Sequence, residues 1–500
     1  MLKDIRETSK HSAVYVIGNI AIKGIGLILI PLYTNPKYLS IVDYGALAIL
    51  EATVILIVGV IETPMLSSLT RWYWDKEYIS HQKSIFFSTL AFLFIIITPT
   101  IFILLHYSDF FSSLLFKSVD YSLILKFTFL SAGFRILNDQ ILNLAKLRSR
   151  SVLYSSALIL KLSLTLSIIL WGILLKGYGL IIIWQANAIG EFVILLVLIP
   201  FVLKNIKVSF QKKILKEMLA YGAPLMLAAT SGVLLVVTDR YMLNSMSGLE
   251  KTGIYSLGFR IANTLKMVIS VPIGLALSPI IMKKINMEKN QHFYAKIMTY
   301  SGFIFVIGLL GLSLFSLEIL KFFTGSAKYW AANGVVPIIS FALFFGLLKD
   351  NVTIGLVIKK KTKVIGLLIF ITSILNIVLN LFFIPIWGIY GAALATLCSQ
   401  VFFFITMAIQ SQKAYFIPYE WKKVLVLFLL AALFLSFSLA VSDVNIVFRL
   451  PIKIALFFSF PFVLYLFHFY DEVELVQIKN IFKAWRNPKK LKENIKRILK

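Results

Sequence analysis

The sequence predicts an all-α protein that crosses a membrane many times. Of its 500 residues, 59% are hydrophobic and only 15% are charged, with a mean hydropathy of +0.88. Soluble domains are closer to one-half apolar and one-quarter charged. Apolar runs of about 20 residues, each long enough to cross the hydrocarbon core as a helix, recur along the chain. This pattern leaves no room for a large soluble domain.

Fourteen transmembrane helices are predicted from these runs and from the charged or Pro- and Gly-rich breaks between them. Helix is the expected conformation because lipid offers the backbone no hydrogen-bond partners. The first run follows a charged lead and has no small-residue cleavage site, so we expect it to be an uncleaved helix. The predicted helices lie at about 13–32, 44–66, 84–105, 121–144, 152–175, 179–203, 220–244, 253–282, 297–316, 334–357, 364–384, 389–409, 424–440 and 450–470.

Basic residues in the loops predict the orientation in the membrane. With both termini in the cytoplasm, 34 Lys and Arg residues fall in the tails and inner loops and 8 in the outer segments. Basic residues concentrate on the cytoplasmic side of membrane proteins. We therefore expect cytoplasmic termini. We attribute the net charge of +27 to topology and the bilayer, not to a nucleic-acid partner.

Residues that usually bind metals are scarce. Cys398 is the only cysteine, which excludes an intramolecular disulfide and a cysteine-based zinc or iron–sulfur site. The five histidines are scattered, with no pair at i and i+4. The sequence also has no P-loop and no Gly-x-Ser-x-Gly motif. We therefore expect no metal, no cofactor and no ATP hydrolysis by this chain.

An internal duplication is indicated by three matches in register. Gly45 and Gly253 each precede a proline by 19 residues. Residues 177–179 lead into the sixth predicted helix as residues 388–391 lead into the twelfth, and a basic loop lies upstream of each. Six helices is an even number, so both halves start on the same side of the membrane. They are then related by a pseudo-twofold axis along the membrane normal, with a cavity between them.

Four parts of the chain follow from this duplication. We expect six-helix lobes at 1–210 and 211–410, two accessory helices within 411–470, and a basic tail at 471–500. The apolar residues of the tail share one side of a helix rich in Lys and Arg, which is typical of a helix on an anionic membrane surface. The alternative is a solvated basic tail that only fixes topology.

Short motifs are spread over both halves. They are Tyr38-Leu39-Ser40 with Asp43-Tyr44-Gly45, Arg71-Trp72-Tyr73, Asp239-Arg240-Tyr241-Met242-Leu243, Gly253-Ile254-Tyr255-Ser256-Leu257 with Arg260, and Gly388-Ile389-Tyr390-Gly391-Ala392-Ala393. Through these motifs the whole chain resembles the polysaccharide transporter family of the multidrug/oligosaccharidyl-lipid/polysaccharide (MOP) exporter superfamily.

The resemblance implies a flippase and not an enzyme. Its expected substrate is an oligosaccharide on undecaprenyl pyrophosphate, such as an O-antigen (lipopolysaccharide), capsule or exopolysaccharide repeat unit. Alternating access would carry this lipid from the inner to the outer leaflet of the bacterial inner membrane. Other polysaccharide assembly proteins are the expected partners. A membrane-embedded polymerase or ligase is the alternative class, but the longest outer loop, at about 317–333, is too short for a catalytic domain.

Fourteen charged residues lie within the predicted helices, four or more residues from either end. A charge at the centre of a membrane-spanning helix costs about 2.5–3.5 kcal/mol. Most of these residues must therefore line a hydrated cavity, pair with one another or reach the membrane surface. They are Lys23, Lys126, Arg135, Lys161, Arg240, Arg260, Lys266 and Lys349, with Glu51, Glu62, Asp139, Glu191, Asp239 and Asp350.

Cations among these residues are candidates for binding a pyrophosphate head group. Arg clamps phosphate oxygens in a bidentate fork, and Lys adds a mobile point charge. Lys126 and Arg240 lie near the predicted outer boundary and could instead extend to the surface. The candidate cavity cations are Lys23, Lys161, Arg240, Arg260 and Lys266.

Four further residues are candidates for pairing or for ion coupling. Arg135 and Asp139 are four residues apart on one helix face, the spacing of an ion pair. Glu51 and Arg260 lie at similar depth in repeat-related helices, so they could face each other across the cavity. Glu51 or Asp239 could bind the H⁺ or Na⁺ that resets the transporter. An inside-negative membrane potential would also favour outward movement of an anion.

Two functions of the same fold remain as alternatives. A lipid II flippase shares a cationic cavity, and residue spacing does not exclude it. Multidrug and cation antiporters resemble one another in an acidic site on the first helix, whereas the first helix here carries Lys23 and no acid. Resemblance to fourteen-helix members such as lipid II flippases implies a groove for the polyprenyl tail in the last two helices. Accessory packing is the alternative role of that pair.

Overall fold

The computed structural model describes residues 28–284, 290–441 and 444–476, together with Gly26. These parts of the chain are helical, with short turns and no β-strand. We number the α-helices in chain order. They are α1 (Ile30–Tyr33), α2 (Ile41–Trp72), α3 (Gln82–His106), α4 (Ser108–Phe116), α5 (Ser122–Leu147), α6 (Ser151–Leu170), α7 (Gly179–Asn205), α8 (Lys212–Leu265), α9 (Val271–Lys284), α10 (Asn290–Leu314), α11 (Ser316–Phe323), α12 (Val335–Ile358), α13 (Thr362–Trp387), α14 (Ile389–Ala414), α15 (Trp421–Ala440) and α16 (Ile446–Leu466).

Eleven helical segments in the described part are long and apolar enough to cross a membrane. One of them, Lys212–Leu277, covers the seventh and eighth predicted helices, which meet at Gly248 with a φ of 84°. The fourth predicted helix is α5, which is less apolar because it carries several charged residues. The first predicted helix lies mostly outside the described residues, and α1 is its end. The predicted all-helical, multi-pass membrane architecture is confirmed.

Backbone turns at related places in the two halves share one conformation. Ser149 and Lys360 both have a φ of 55°, just after α5 and α12. Gly177 and Gly388 also have positive φ, just before α7 and α14. Each pair is separated by 211 residues. These turns support the predicted duplication, and the boundaries of the lobes at 210 and 410 stay predictions.

The two predicted lobes contact each other closely where α2 crosses α8, toward the predicted outer side. A Cβ atom on Gly45 would lie 2.0 Å from the Leu249 carbonyl oxygen, and one on Gly253 would lie 2.8 Å from that of Ile41. The contact is reciprocal, because Ile41 and Leu249 each precede a glycine by four residues. Small residues let membrane helices approach in this way. The two glycines therefore set the distance between α2 and α8.

Replacing Gly253 by alanine is expected to destabilise the protein by about 1–3 kcal/mol, because the new methyl group must displace a backbone carbonyl. The matched control is Gly232→Ala, since a Cβ atom at Gly232 would meet nothing within 4 Å. The measurement is the midpoint of thermal unfolding in detergent. Equal midpoints for the two variants would contradict the close contact of α2 and α8.

The two C-terminal helices, α15 and α16, pack on α10. A charged cluster ties them to it at the predicted cytoplasmic end. Lys296 Nζ lies 2.8 Å from Glu420 and also pairs with Asp471, and Lys423 Nζ lies 2.6 Å from Asp471. Thr299 Oγ1 donates a 2.6 Å hydrogen bond to Glu420. The cluster thus joins α10, the segment before α15 and the segment after α16.

Hydrogen bonds in this cluster favour the ionised carboxylates. Those from Lys296 and Lys423 lower the pKa of Asp471. Burial alone raises the pKa of Glu420, but hydrogen bonds from Lys296 and Thr299 outweigh burial and lower it. A carboxyl group with a lowered folded-state pKa stabilises the fold above its unfolded pKa, and this contribution is lost as the pH falls. The cluster is therefore intact at neutral pH.

Protonation of Glu420 and Asp471 below about pH 4 is expected to release the segment after α16 from α10. At neutral pH, Asp471→Asn should produce the same effect. Hydrogen exchange of the amides at 466–476 would report it, with Glu472→Gln as the control because Glu472 is an exposed neighbour. Unchanged protection in Asp471→Asn would show that the cluster does not hold this segment.

The predicted basic tail at 471–500 is described only over residues 471–476. Its contact with the membrane surface stays a prediction.

Candidate functional site

A cavity of about 550 Å³ is lined by α2, α8, α12 and α14 and by the first residues of α9. Its charged side chains are Glu51 from α2, Arg240 and Arg260 from α8, and Lys266 just after α8. Three cations face one acid, so the cavity carries excess positive charge. Apolar side chains form much of the remaining wall, and a wall of low dielectric strengthens the electrostatic field inside the cavity. The uncharged polar residues of the lining are Asn263, Thr264, Thr396 and Gln400.

Arg260 and Glu51 form an ion pair at this cavity. Arg260 Nη2 lies 2.6 Å from Glu51 Oε1 and 2.5 Å from Oε2. The guanidinium also lies 5.7 Å from the ring centroid of Tyr44. The two residues that the sequence placed at similar depth are thus in direct contact. The pair joins α2 to α8, close to the contact of Gly45 and Gly253.

Arg240 lines the cavity and lies against an aromatic ring. Its guanidinium carbon lies 4.8 Å from the ring centroid of Phe259. Its Nε is buried and has no hydrogen-bond partner among the described residues. A buried N–H without a partner is unusual in a folded protein. Arg240 thus lies on the cavity wall with one N–H that the described residues leave without an acceptor.

Lys266 lies on an irregular part of the cavity wall. It begins a π-helical turn, Lys266–Ser270, that connects α8 to α9. Such turns interrupt the regular hydrogen-bond ladder and are frequent at functional sites. The side chain of Lys266 is exposed on the cavity. The charged wall and the break in the helix thus coincide.

Lys161 was predicted to be a cavity cation, but it lies on α6, away from the lining of this cavity. It pairs with Glu191 of α7, and Asn138 donates a 2.9 Å hydrogen bond to the same carboxylate. Glu191 is 3% exposed, and a carboxylate buried without a cation would be very costly. Lys161 is therefore explained by charge pairing within the predicted N-terminal lobe. The other predicted cation, Lys23, lies outside the described residues.

The remaining candidates have protein partners. Asp239 is buried and accepts hydrogen bonds from Tyr255 Oη and, at 2.8 Å, from the backbone N–H of Arg240. Arg135 Nε lies 3.3 Å from Asp139, the ion pair that their spacing predicts. Their part in ion coupling stays a prediction. The described residues include no group of three or more His, Cys, Asp or Glu residues that could hold a metal.

Several lining residues were not selected from the sequence. Phe259, Thr396 and Gln400 face the cavity although they carry no charge. Aromatic, hydroxyl and amide side chains are common throughout membrane helices, so a single sequence holds no signal that distinguishes these three. A search of the sequence for charged residues within helices finds the cations that line the cavity but misses the uncharged residues that line it.

Replacing Glu51 by glutamine is expected to strengthen the binding of inorganic pyrophosphate to the cavity, by about tenfold, because an anion no longer competes with a carboxylate for Arg260. Glu62→Gln is the matched control, since Glu62 is an acid of α2 that does not line the cavity. Isothermal titration calorimetry in detergent measures the affinity. An equal or weaker affinity in Glu51→Gln would contradict competition for Arg260.

The family described as "Polysaccharide biosynthesis protein" matches residues 9–285, more than half of the 500-residue chain. Curated protein sequences give no significant match.

Solved structures of three transporters are similar over most of the chain. One, described as lipid II flippase MurJ in an inward closed conformation, is 16% identical with a TM-score of 0.74, covering 90% of this chain and 98% of that one. An inward-facing multidrug resistance MATE family transporter of the MOP superfamily is 12% identical with a TM-score of 0.64, covering 84% and 95%.

The third is a MOP superfamily transporter from Pyrococcus furiosus, described by the reverse polarity of its binding pocket. It is 14% identical with a TM-score of 0.56, covering 80% of this chain and 95% of that one. At such identities the similarity shows the fold alone, which this chain shares with these transporters.

Proposed function

The chain belongs to the polysaccharide biosynthesis protein family, and on that premise we propose that it is a flippase for a lipid-linked oligosaccharide. The proposed substrate is undecaprenyl pyrophosphate carrying an O-antigen, capsule or exopolysaccharide repeat unit. The protein would move it from the inner to the outer leaflet of the bacterial inner membrane. The observation that carries this proposal is the excess of positive charge in the cavity, from Arg240, Arg260 and Lys266.

The chemistry of the cavity suits a pyrophosphate. Guanidinium groups donate paired hydrogen bonds to phosphate oxygens, and an ammonium group adds a point charge. Arg260 donates to both oxygens of Glu51 from Nη2, and a guanidinium has two further nitrogens with which it could bind a phosphate. The sugars need no specific readout in such a site, because the charge lies on the carrier. One cavity could therefore accept repeat units of different composition.

The ion pair between Glu51 and Arg260 links binding to movement in this proposal. The pair joins α2 to α8 on the predicted outer side. A pyrophosphate that binds Arg260 would compete with Glu51 and weaken that connection. The substrate would then favour opening toward the outer leaflet, which is the step that alternating access requires. An inside-negative potential adds about 2.3 kcal/mol per charge for each 100 mV that an anion crosses outward.

The two alternative functions require different charges in the cavity. A lipid II flippase would use the same cations for another polyprenyl-linked glycan. A multidrug antiporter for organic cations would need excess negative charge, whereas the described cavity has three cations and one acid. Electrostatics thus favours an anionic lipid over a cationic drug. The activity we propose is transport without a covalent reaction. Its driving force would be H⁺, Na⁺ or the membrane potential.

Transbilayer movement of a fluorescent polyprenyl-pyrophosphate oligosaccharide in proteoliposomes tests this function. Arg240→Gln, Arg260→Gln and Lys266→Gln should each slow it by about tenfold or more, since each removes a charge-assisted hydrogen bond to phosphate. Lys126→Gln is the control, because Lys126 is an exposed cation of α5 that does not line the cavity.

Wild-type protein that leaves the oligosaccharide lipid in place and moves only organic cations would contradict the flippase proposal. Wild-type flipping that survives all three cavity substitutions would instead contradict the assignment of the site.

A further inference from the structure

A second cavity, of about 220 Å³, lies between α9 and α12 toward their predicted cytoplasmic ends. Its wall is mainly apolar, and an apolar cavity of about 150 Å³ is large enough to bind benzene. The 220 Å³ cavity can therefore hold a branched five-carbon prenyl unit. The apolar lining includes Ile273, Gly274 and Leu277 from α9 and Leu347, Ile354 and Ile358 from α12.

This apolar cavity continues the wall of the cationic cavity. Steps of three or four residues keep side chains on one face of a helix. On α8 and α9, and again on α12, the lining residues of the cationic cavity are followed at steps of three or four residues by those of the apolar cavity. On α8 and α9 they are Asn263, Met267, Val271, Gly274, Leu277 and Ile281, and on α12 they are Ile339, Leu343, Leu347, Asn351, Ile354 and Ile358.

The length of the apolar cavity along α12 matches the thickness of one leaflet. Leu347 and Ile358 are eleven residues apart on α12, which is about 16 Å along a helix. The hydrocarbon core of a bilayer is about 30 Å thick, so this length is about half of it. In the predicted orientation the cavity spans the inner leaflet.

A lysine cluster begins next to Ile358, the lining residue at the cytoplasmic mouth of the apolar cavity. Lys359, Lys360 and Lys361 follow α12, Lys363 lies in the first turn of α13, and all four are exposed. At the cytoplasmic surface these lysines lie where an inner-leaflet lipid places its head group. Asp350 also lines the cavity, but it pairs with Lys349 and so does not repel an anion with a full charge. The mouth is thus complementary to a pyrophosphate.

We infer that the apolar cavity and the lysine cluster form a loading site for the substrate lipid. The prenyl chain next to the pyrophosphate occupies the apolar cavity, and the lysine cluster binds the pyrophosphate itself. The inference rests on the proposed function and names where the lipid is first bound.

The loading site differs from the tail groove expected of the last two helices. The described residues of α15 and α16 do line a cavity, with Leu435, Ser438 and Lys453, but it holds only about 20 Å³. That space is too small for a prenyl unit. A tail groove along α15 and α16 stays a prediction, and the loading site does not depend on it.

Gly274→Leu tests the loading site. A Cβ atom at Gly274 would meet nothing within 4 Å, so a leucine side chain can enter the cavity without displacing the backbone. Proteoliposomes with this variant should flip an undecaprenyl (C55) pyrophosphate substrate about tenfold more slowly than wild type, because its chain loses an apolar site. A short-chain (C10) analogue with the same head group should move equally in both. Gly232→Leu, where Cβ is also unobstructed, is the matched control.

A photoactivatable polyprenyl pyrophosphate, with a diazirine on the prenyl unit next to the phosphates, gives a second readout. Its adducts, mapped by mass spectrometry in wild-type protein, should fall on α9 and α12 and decrease with excess unlabelled polyprenyl pyrophosphate. Replacing the four lysines by glutamine should reduce labelling, and replacing them by arginine should preserve it.

Three outcomes separate the inference from the proposed function. Equal flipping of the C55 lipid by Gly274→Leu and wild type, or adducts confined to α15 and α16, would overturn the loading site alone. Labelling could also fall as much with excess phosphatidylglycerol as with excess polyprenyl pyrophosphate. That result would show that an ordinary acyl chain fills the cavity, and it would overturn the loading site. Wild-type protein that flips neither the C55 nor the C10 lipid would overturn the proposed function itself.

Discussion

A charge inside a bilayer must be paired or hydrated, and this constraint organises the described structure. An isolated charge at the membrane centre costs several kcal/mol, and a protein with many such charges cannot fold unless each is paired or hydrated. Most of these charges have a partner within hydrogen-bonding distance. The pairs are Arg135 with Asp139, Lys161 with Glu191, Arg260 with Glu51, and Lys349 with Asp350.

The pairs differ in what they connect. The pair of Lys161 and Glu191 joins neighbouring helices of one predicted lobe and is backed by Asn138. The pair of Arg260 and Glu51 joins the two predicted lobes and lies on the wall of the cavity that Arg240 also lines. The first arrangement stabilises a helix bundle. In the proposed function, the second exchanges its carboxylate for an anionic ligand.

The all-helical, multi-pass architecture and the charges within the helices could be read from the sequence because hydrophobic length and residue type report them directly. The depth of Glu51 and Arg260 followed from counting residues along helices, and the structure brings them into contact. The direction in which a helix face points could not be predicted from the sequence. Lys161 is as deep as the cavity cations, but it faces Glu191 because α6 packs on α7.

Other features depend on packing that no local pattern reveals. The neutral residues Phe259 and Gln400 meet at the cavity through the packing of helices far apart in sequence. The π-helical turn at Lys266–Ser270 has no counterpart in the hydrophobic pattern. The apolar cavity between α9 and α12 is likewise a property of two helix faces together. The glycines at 45 and 253 were noticed as a repeat, and only the structure shows that they touch reciprocally.

The central claim is that the cavity selects its substrate by negative charge. The most direct measurement compares transbilayer movement of four lipids in proteoliposomes of the wild-type protein. The lipids share one polyprenyl chain and one sugar and differ only in a linker that is pyrophosphate, monophosphate, neutral or cationic. The account predicts the fastest movement for the pyrophosphate, slower movement for the monophosphate and little for the other two. Equal rates for all four, or a preference for the cationic lipid, would contradict it.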